Sequence, residues 1–289
     1  MEKIKINTRY KKMLADTITP VSIYLNIRNK YKKSFLLESS DYHGNEDSYS
    51  FICFNPVASF KVEDEKIFIV YPNGDFETKS ATENDVVEEL NVFAGLFESE
   101  ELGFDFVTNG LFGFTSFEGV QHFEDIAFDY HEKEDKKVPD MHYMVFQNII
   151  SINHFKNELY LFEHRSEIGT GSGPESLEKL EELVKSPNAT QEIFKKEGEE
   201  VSNCTNEEFL KMVRDAKTHC KRGDVFQLVL SREFSQNFKG DDFTLYRALR
   251  SINPSPYLFY FDFGKFKIFG SSPEAQIVIK NRKASIYPI

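Results

Sequence analysis

The sequence predicts an α+β protein in which antiparallel sheet is flanked by amphipathic helices. Two hairpin patterns and two helical stripes carry that expectation. Residues 60–76, FKVEDEKIFIVYPNGDF, alternate in polarity and are broken by Asp64-Glu65 and Asn73-Gly74, residues that favour tight reversals. Residues 146–164, FQNIISINHFKNELYLFEH, form a second pair of apolar runs, split at His154 to Asn157. Val86, Leu90, Phe93 and Leu96 recur at the spacing of one helix face, as do Leu177, Leu180 and Leu183.

Beyond the second helix the chain changes character. SPNATQEIFKKEGEEVSN is polar, charged and without periodicity, so residues 186–204 are expected to link an N-terminal region, 1–185, to a second one, 205–289. Thr205 and Glu208 make a capping box, and Phe209, Met212, Val213, Ala216 and Cys220 form a helical stripe ending before Gly223. VFQLVLSREFS then reads as a strand, with Phe226, Leu228 and Leu230 on one face and Gln227, Val229 and Ser231 on the other. The helix FTLYRALRSI must end near Asn253, because Pro254 lacks an N–H and biases its predecessor away from helical geometry. YLFYFDFGKFKIFG reads as a hairpin turning at Gly264, its first strand apolar on both faces and so buried between layers. The strands AQIVIK and KASIYPI follow.

Composition removes several classes of function. A chain of 289 residues can bury roughly 75% of its unfolded surface and needs no covalent staple. A formal charge of -12, with Lys and Arg scattered among carboxylates, leaves no basic stripe for nucleic acid or an anionic membrane. Cys53, Cys204 and Cys220 are odd in number and far apart, as expected of reduced thiols in a cytoplasm. The N-terminus has no apolar signal core, and no run approaches the roughly 18 apolar residues of a membrane span. Generic catalytic patterns are also missing. There is no Cys-x-x-Cys or His-Glu-x-x-His, and the seven histidines are dispersed. GTGSGPES at 169–176 lacks the Lys-Ser/Thr ending of a phosphate loop, and in GSSPE at 270–274 Glu274 replaces the second glycine of a serine elbow.

Four segments together are more specific: FLLESS at 35–40, GDVFQLVLSREFS at 223–235, NPSPYLFYFDFG at 253–264 and GSSPE at 270–274. In order and approximate spacing they resemble anthranilate synthase component I, of the chorismate-utilising enzyme family. TPVSIYL, SYSFI at 48–52, NGLFGF at 109–114 and VPD at 138–140 extend the resemblance over nearly the whole chain. It implies large antiparallel sheets packed orthogonally and flanked by helices, with an N-terminal regulatory unit laid against a chorismate-binding catalytic unit. The implied reaction takes chorismate and ammonia, with Mg²⁺, to anthranilate and pyruvate, the ammonia coming from a glutamine amidotransferase partner.

Residue by residue, the resemblance assigns a tryptophan feedback pocket to Glu38, Ser39, Pro256, Tyr257 and Leu258, with Tyr49 as a further wall. Such residues supply a carboxylate for an ammonium, donors for a carboxylate and an apolar slot for an indole. Gln227 stands where isochorismate-forming relatives carry a Lys that activates water. An amide cannot be that general base, so Gln227 favours an ammonia-using member. Glu274 matches the carboxylate that protonates the departing hydroxyl of chorismate, a job that needs a pKa raised by partial burial. The family's Mg²⁺ carboxylates and anion-binding Arg lie beyond Ile289, so no metal ligand is assigned here and the chain by itself is expected not to turn over. Two other readings stay open: aminodeoxychorismate synthase component I, of folate synthesis, and a non-catalytic tryptophan-binding module.

Overall fold

The computed structural model describes residues 3–39, 48–126, 128, 138–169, 173–186, 193–280 and 282–287. Two compact units emerge: residues 1–189 together with 249–289, and residues 190–248. The first unit holds an eleven-stranded sheet. β1 (Ile4–Leu14) pairs along its length with β9 (Glu158–Ser166), and β9 with β8 (Met141–Asn153). β8 in turn pairs with β3 (Tyr49–Glu63), β3 with β2 (Phe35–Glu38), β2 with β12 (Tyr257–Asp262) and β12 with β13 (Lys267–Ser272). β4 (Lys66–Val70) and β5 (Phe76–Ser80) extend β3, and β7 (Leu111–Thr115) lies against the first half of β8. These pairings are antiparallel; β6 (Phe97–Ser99) runs parallel to β1. The α+β class expected from the sequence is the class observed.

Local chemistry sets the helices. α1 (Pro20–Arg28) starts at a reciprocal cap between Thr19 and Ser22 with Pro20 in its first turn, and it buries Ile23, Tyr24, Leu25 and Ile27. α2 (Val86–Gly95) is capped by Asp85, whose carboxylate accepts from the N–H groups of Val87 and Glu88. α3 (Leu177–Lys185) buries the expected Leu177, Leu180 and Leu183. Its start is held by the buried Glu163 of β9, which accepts the Leu177 N–H at 3.2 Å. The buried amide of Asn148 closes the same corner, exchanging hydrogen bonds with the backbone of Glu175 at 2.8 and 2.9 Å.

Period-two alternation sends neighbouring residues of β8 to different cores. Val145 joins Ile6, Phe60, Val62 and Phe93 in one cluster, whereas Met144 and Phe146 join Phe35, Phe162, Phe261 and Phe263 in another. Phe35 has its ring centroid 5.0, 4.5 and 4.8 Å from those of Phe146, Phe261 and Phe263, so it ties β2 to both β8 and the β12 hairpin.

The second unit departs from the expectation in three places. Residues 186–204, expected as a linker, include β10 (Lys195–Ser202), which pairs with β11 (Phe234–Lys239). β10 is exposed over most of its length, so it lacks the alternation that marks a half-buried strand. α4 (Asn206–Arg222) has the expected Thr205–Glu208 box and a left-handed Gly223 at its end, but its apolar stripe is not buried. VFQLVLSREFS forms a strand only from Phe234, since among the described residues no strand flanks 225–233 to satisfy its backbone groups. Arg232 fixes the end of that run, donating to Ser202 Oγ, Asn206 Oδ1 and the Cys204 carbonyl at 2.7–2.8 Å.

The expected domain boundary near residue 205 also moves. Residues 249–289 cluster with the N-terminal unit because β12 and β13 complete its sheet. α5 (Asp242–Ile252) ends just before Asn253, as Pro254 requires. The β12–β13 hairpin turns at Gly264, whose φ of 87° needs glycine and whose N–H donates to Asp262 Oδ1 at 2.7 Å. β14 (Val278–Lys280) and β15 (Lys283–Ser285) form a separate exposed hairpin.

Two outcomes follow for stability. Phe35→Ala removes a ring shared by three elements and lowers the unfolding free energy by about 3–5 kcal/mol in a urea titration. Burial pushes the pKa of His142 down to about 3 and that of His164 down to about 4. The unfolded chain therefore takes up protons below about pH 6.5 that the folded chain refuses, and stability falls as pH drops from there toward 4. His142→Phe keeps a ring against Phe263, which now stacks on the imidazole at 4.6 Å, and removes one titration. The urea midpoint of that variant falls less between pH 6.5 and 4 than that of the wild type.

Candidate functional site

The antiparallel register of β2 and β12 sets Glu38 directly across from Leu258 and Leu37 across from Phe259. Residues distant in sequence, LLES and the Pro-Ser-Pro-Tyr corner, thus become hydrogen-bonded neighbours. β3 flanks β2 on its other side with Leu37 opposite Phe51. Continuing that register by one residue puts Ser50 beside Glu38 and on the same face.

Glu38 is a buried carboxylate, only 5% exposed. Arg250, in the last turn of α5, approaches it with Nε 3.1 Å from Oε2. Ser50 Oγ lies 2.7 Å from His154 Nε2. Burial, then the Arg250 charge, lowers the His154 pKa, so this imidazole is held neutral near pH 7. The corner before β12 is ordered by hydroxyls: Ser271 Oγ donates to the Asn253 carbonyl at 2.6 Å and lies 2.8 Å from the Oγ of the buried Ser255. Leu258 is 1% exposed, Pro256 is half-buried, and Tyr257 is exposed at the rim. Ser39 follows β2 directly and is half-buried.

These side chains make a polar cluster beside the apolar Leu258, with one carboxylate, one guanidinium, a neutral imidazole and several hydroxyls. Tyr49 stands apart from it. It stacks on Phe106 with ring centroids 4.7 Å apart and lies over Phe51, which puts it on the sheet face opposite Ser50 and Glu38. Sequence reasoning missed Arg250, Ser50, His154 and Ser255. Ser50 lies in the SYSFI segment already singled out, but Arg250 carries no local signal beyond a basic residue at a helix end.

The two residues assigned to catalysis sit elsewhere. Gln227 is exposed, in the irregular run of the second unit. Glu274 is an exposed side chain of the first unit, in a turn where Ser272 Oγ donates to the Glu274 carbonyl at 3.2 Å. The partial burial that a carboxylic general acid needs is not present there. Among the described residues no group of three or more His, Cys, Asp or Glu side chains is placed to hold a metal ion.

The family model for chorismate binding enzymes matches residues 32–289. Anthranilate synthase component 1 of Lactococcus lactis subsp. lactis (strain IL1403) is 30% identical over 288 residues, covering 97% of this chain and 60% of that protein. The protein of the same name from Geobacillus stearothermophilus is 31% identical over 302 residues, covering 96% and 58%. Among solved structures, anthranilate synthase component I from Streptococcus pneumoniae TIGR4 superposes with a TM-score of 0.57 at 24% identity, over 94% of this chain and 59% of that one. MenF, the menaquinone-specific isochorismate synthase from Escherichia coli, gives 0.55 at 11% identity, over 96% and 52%.

The fold and the matched sequence define a chorismate binding enzyme, and the chain belongs to that family. Its curated relatives include anthranilate synthase component 1 proteins, of whose length it spans about 60%.

The Glu38–Arg250 pair makes a measurable expectation. Glu38→Gln leaves a partly buried guanidinium without its counter-charge and costs about 1–3 kcal/mol of unfolding free energy. Adding Arg250→Gln restores part of that loss, so a double-mutant cycle gives a non-zero coupling energy.

Proposed function

We propose that the chain is part of the large subunit of an anthranilate synthase and that the polar cluster at Glu38 binds L-tryptophan as feedback inhibitor. The observation that supports this best is the ion pair of Glu38 and Arg250 at the meeting point of β2 and β12. A free amino acid is a zwitterion, and a carboxylate beside a guanidinium is its complement. In this reading Glu38 takes the α-ammonium, Arg250 and Ser39 take the α-carboxylate, and Pro256, Tyr257 and Leu258 form the slot for the indole.

The reaction assigned to the whole enzyme is conversion of chorismate and ammonia to anthranilate and pyruvate, with Mg²⁺, in the cytoplasm. Ammonia is delivered by a glutamine amidotransferase subunit. Gln227 and Glu274 belong to that chemistry as the ammonia-selective position and the general acid. Both are exposed in this chain, and the chain covers about 60% of its relatives. The 289 residues alone therefore form no anthranilate when given chorismate, Mg²⁺ and ammonium; detection of the product by its fluorescence would overturn this. The exposure of Gln227 and Glu274 also favours a second reading, a tryptophan sensor without catalysis. Anthranilate production by a natural gene product containing this chain would exclude it.

The sensor is tested directly because the protein has no tryptophan of its own. L-Tryptophan added to it shows a saturable rise in indole anisotropy. Glu38→Gln and Arg250→Gln each weaken binding by about tenfold or more, the value of one charge-assisted hydrogen bond. Equal affinities in all three proteins would sink the proposal.

A further inference from the structure

The second unit carries an apolar groove whose walls are fixed and whose cover is missing. Val213, Ala216 and Cys220 of α4 line it together with Leu228 and Leu230, around an open space of about 420 Å³. Arg232 holds the two walls in place. It donates to Ser202, Asn206 and the Cys204 carbonyl, and its guanidinium lies 6.0 Å from the ring centroid of Phe209 and 4.7 Å from that of Phe234.

Residues 225–231 are the unfinished wall. They alternate as a strand does, yet among the described residues their N–H and C=O groups enter no backbone hydrogen bond. Phe226 and Val229 are 108% and 83% exposed, so the run offers apolar side chains to water as well as open backbone groups. β11, which continues the run, has β10 on one edge and, among the described residues, no strand on the other. An open edge with alternating apolar side chains is the pattern that takes up a further strand.

We infer that residues 225–231 and the α4 groove form a strand-addition site, filled by the polypeptide that makes up the remainder of a chorismate binding enzyme. The place of the family match selects this occupant. The match runs from residue 32 to 289, so it takes in both α4 and the unpaired run. The Lactococcus lactis relative carries their counterparts in a protein of which this chain covers 60%. Its remaining length has no counterpart here and is available to cover an apolar face of this extent. The inference rests on the family match and is independent of the tryptophan reading.

The test co-expresses the 289-residue chain with a tagged polypeptide comprising the unmatched part of the Lactococcus lactis protein, using that protein's own matched part as the reference. Capture on the tag should retain the chain, and hydrogen exchange at the amides of residues 226–231 should slow by about tenfold or more in the captured complex. Leu228 and Val213 are only partly buried, so Leu228→Glu and Val213→Glu should melt as the wild type does and each weaken capture by about tenfold or more. Should the reference part also go uncaptured, joining each matched part to the unmatched one in a single chain allows the same exchange comparison. The inference is overturned if the reference part is captured and this chain is not, or if residues 226–231 stay in fast exchange in the complex or the joined chain. It is also overturned if either charged variant is captured as well as the wild type, or if light scattering shows the chain alone to be a dimer in which those amides are already slow. A complex that meets these criteria and forms no anthranilate supports the strand-addition site and counts against the enzyme assignment.

Discussion

Burying a carboxylate in a protein costs several kcal/mol unless a counter-charge and hydrogen bonds offset it, and the architecture around Glu38 is organised by that cost. The charge can sit in the sheet only because α5 ends where Arg250 reaches it, and α5 ends there because Pro254 forbids another turn. The proline-rich corner then delivers the chain into β12 at the register that sets Leu258 against Glu38. A backbone constraint, a ladder and an ion pair are thus mutually dependent.

The same ladder couples the site to the core. Phe35 and Glu38 lie on one short strand, the first packed among Phe146, Phe261 and Phe263 and the second facing Arg250. Loosening the aromatic cluster would shift the strand that carries the carboxylate. Ser50 and His154 continue the polar row across β3, and keeping His154 neutral avoids a second positive charge beside Arg250.

Much of this was legible in the letters. Alternation and turn residues exposed the β3–β4 and β8–β9 hairpins, apolar stripes located α2 and α3, a capping box located α4, and Pro254 marked the end of α5. LLES and the Pro-Ser-Pro-Tyr corner pointed to two stretches that the ladder joins. Other features were hidden for physical reasons. β10 is a strand of Lys and Glu facing water, so its composition reads as a linker. Residues 225–233 have the alternation of a strand, but alternation creates no ladder without a neighbour to pair with. Arg250 and His154 reach Glu38 and Ser50 through tertiary packing alone, which no local pattern encodes. Tyr49 was misplaced because motif proximity does not reveal which face of a pleated strand a side chain takes.

The position of β12 in the sheet has a consequence for biosynthesis. β2 emerges from the ribosome early, and one of its edges stays open until the chain has been extended through Asp262. During that interval an apolar Phe-Leu-Leu edge is presented to any strand that can align with it, including those of neighbouring nascent chains. Closure depends on a long-range encounter, which is slow relative to hairpin formation. Translation speed and chaperone occupancy over this window therefore bear on the yield of native protein.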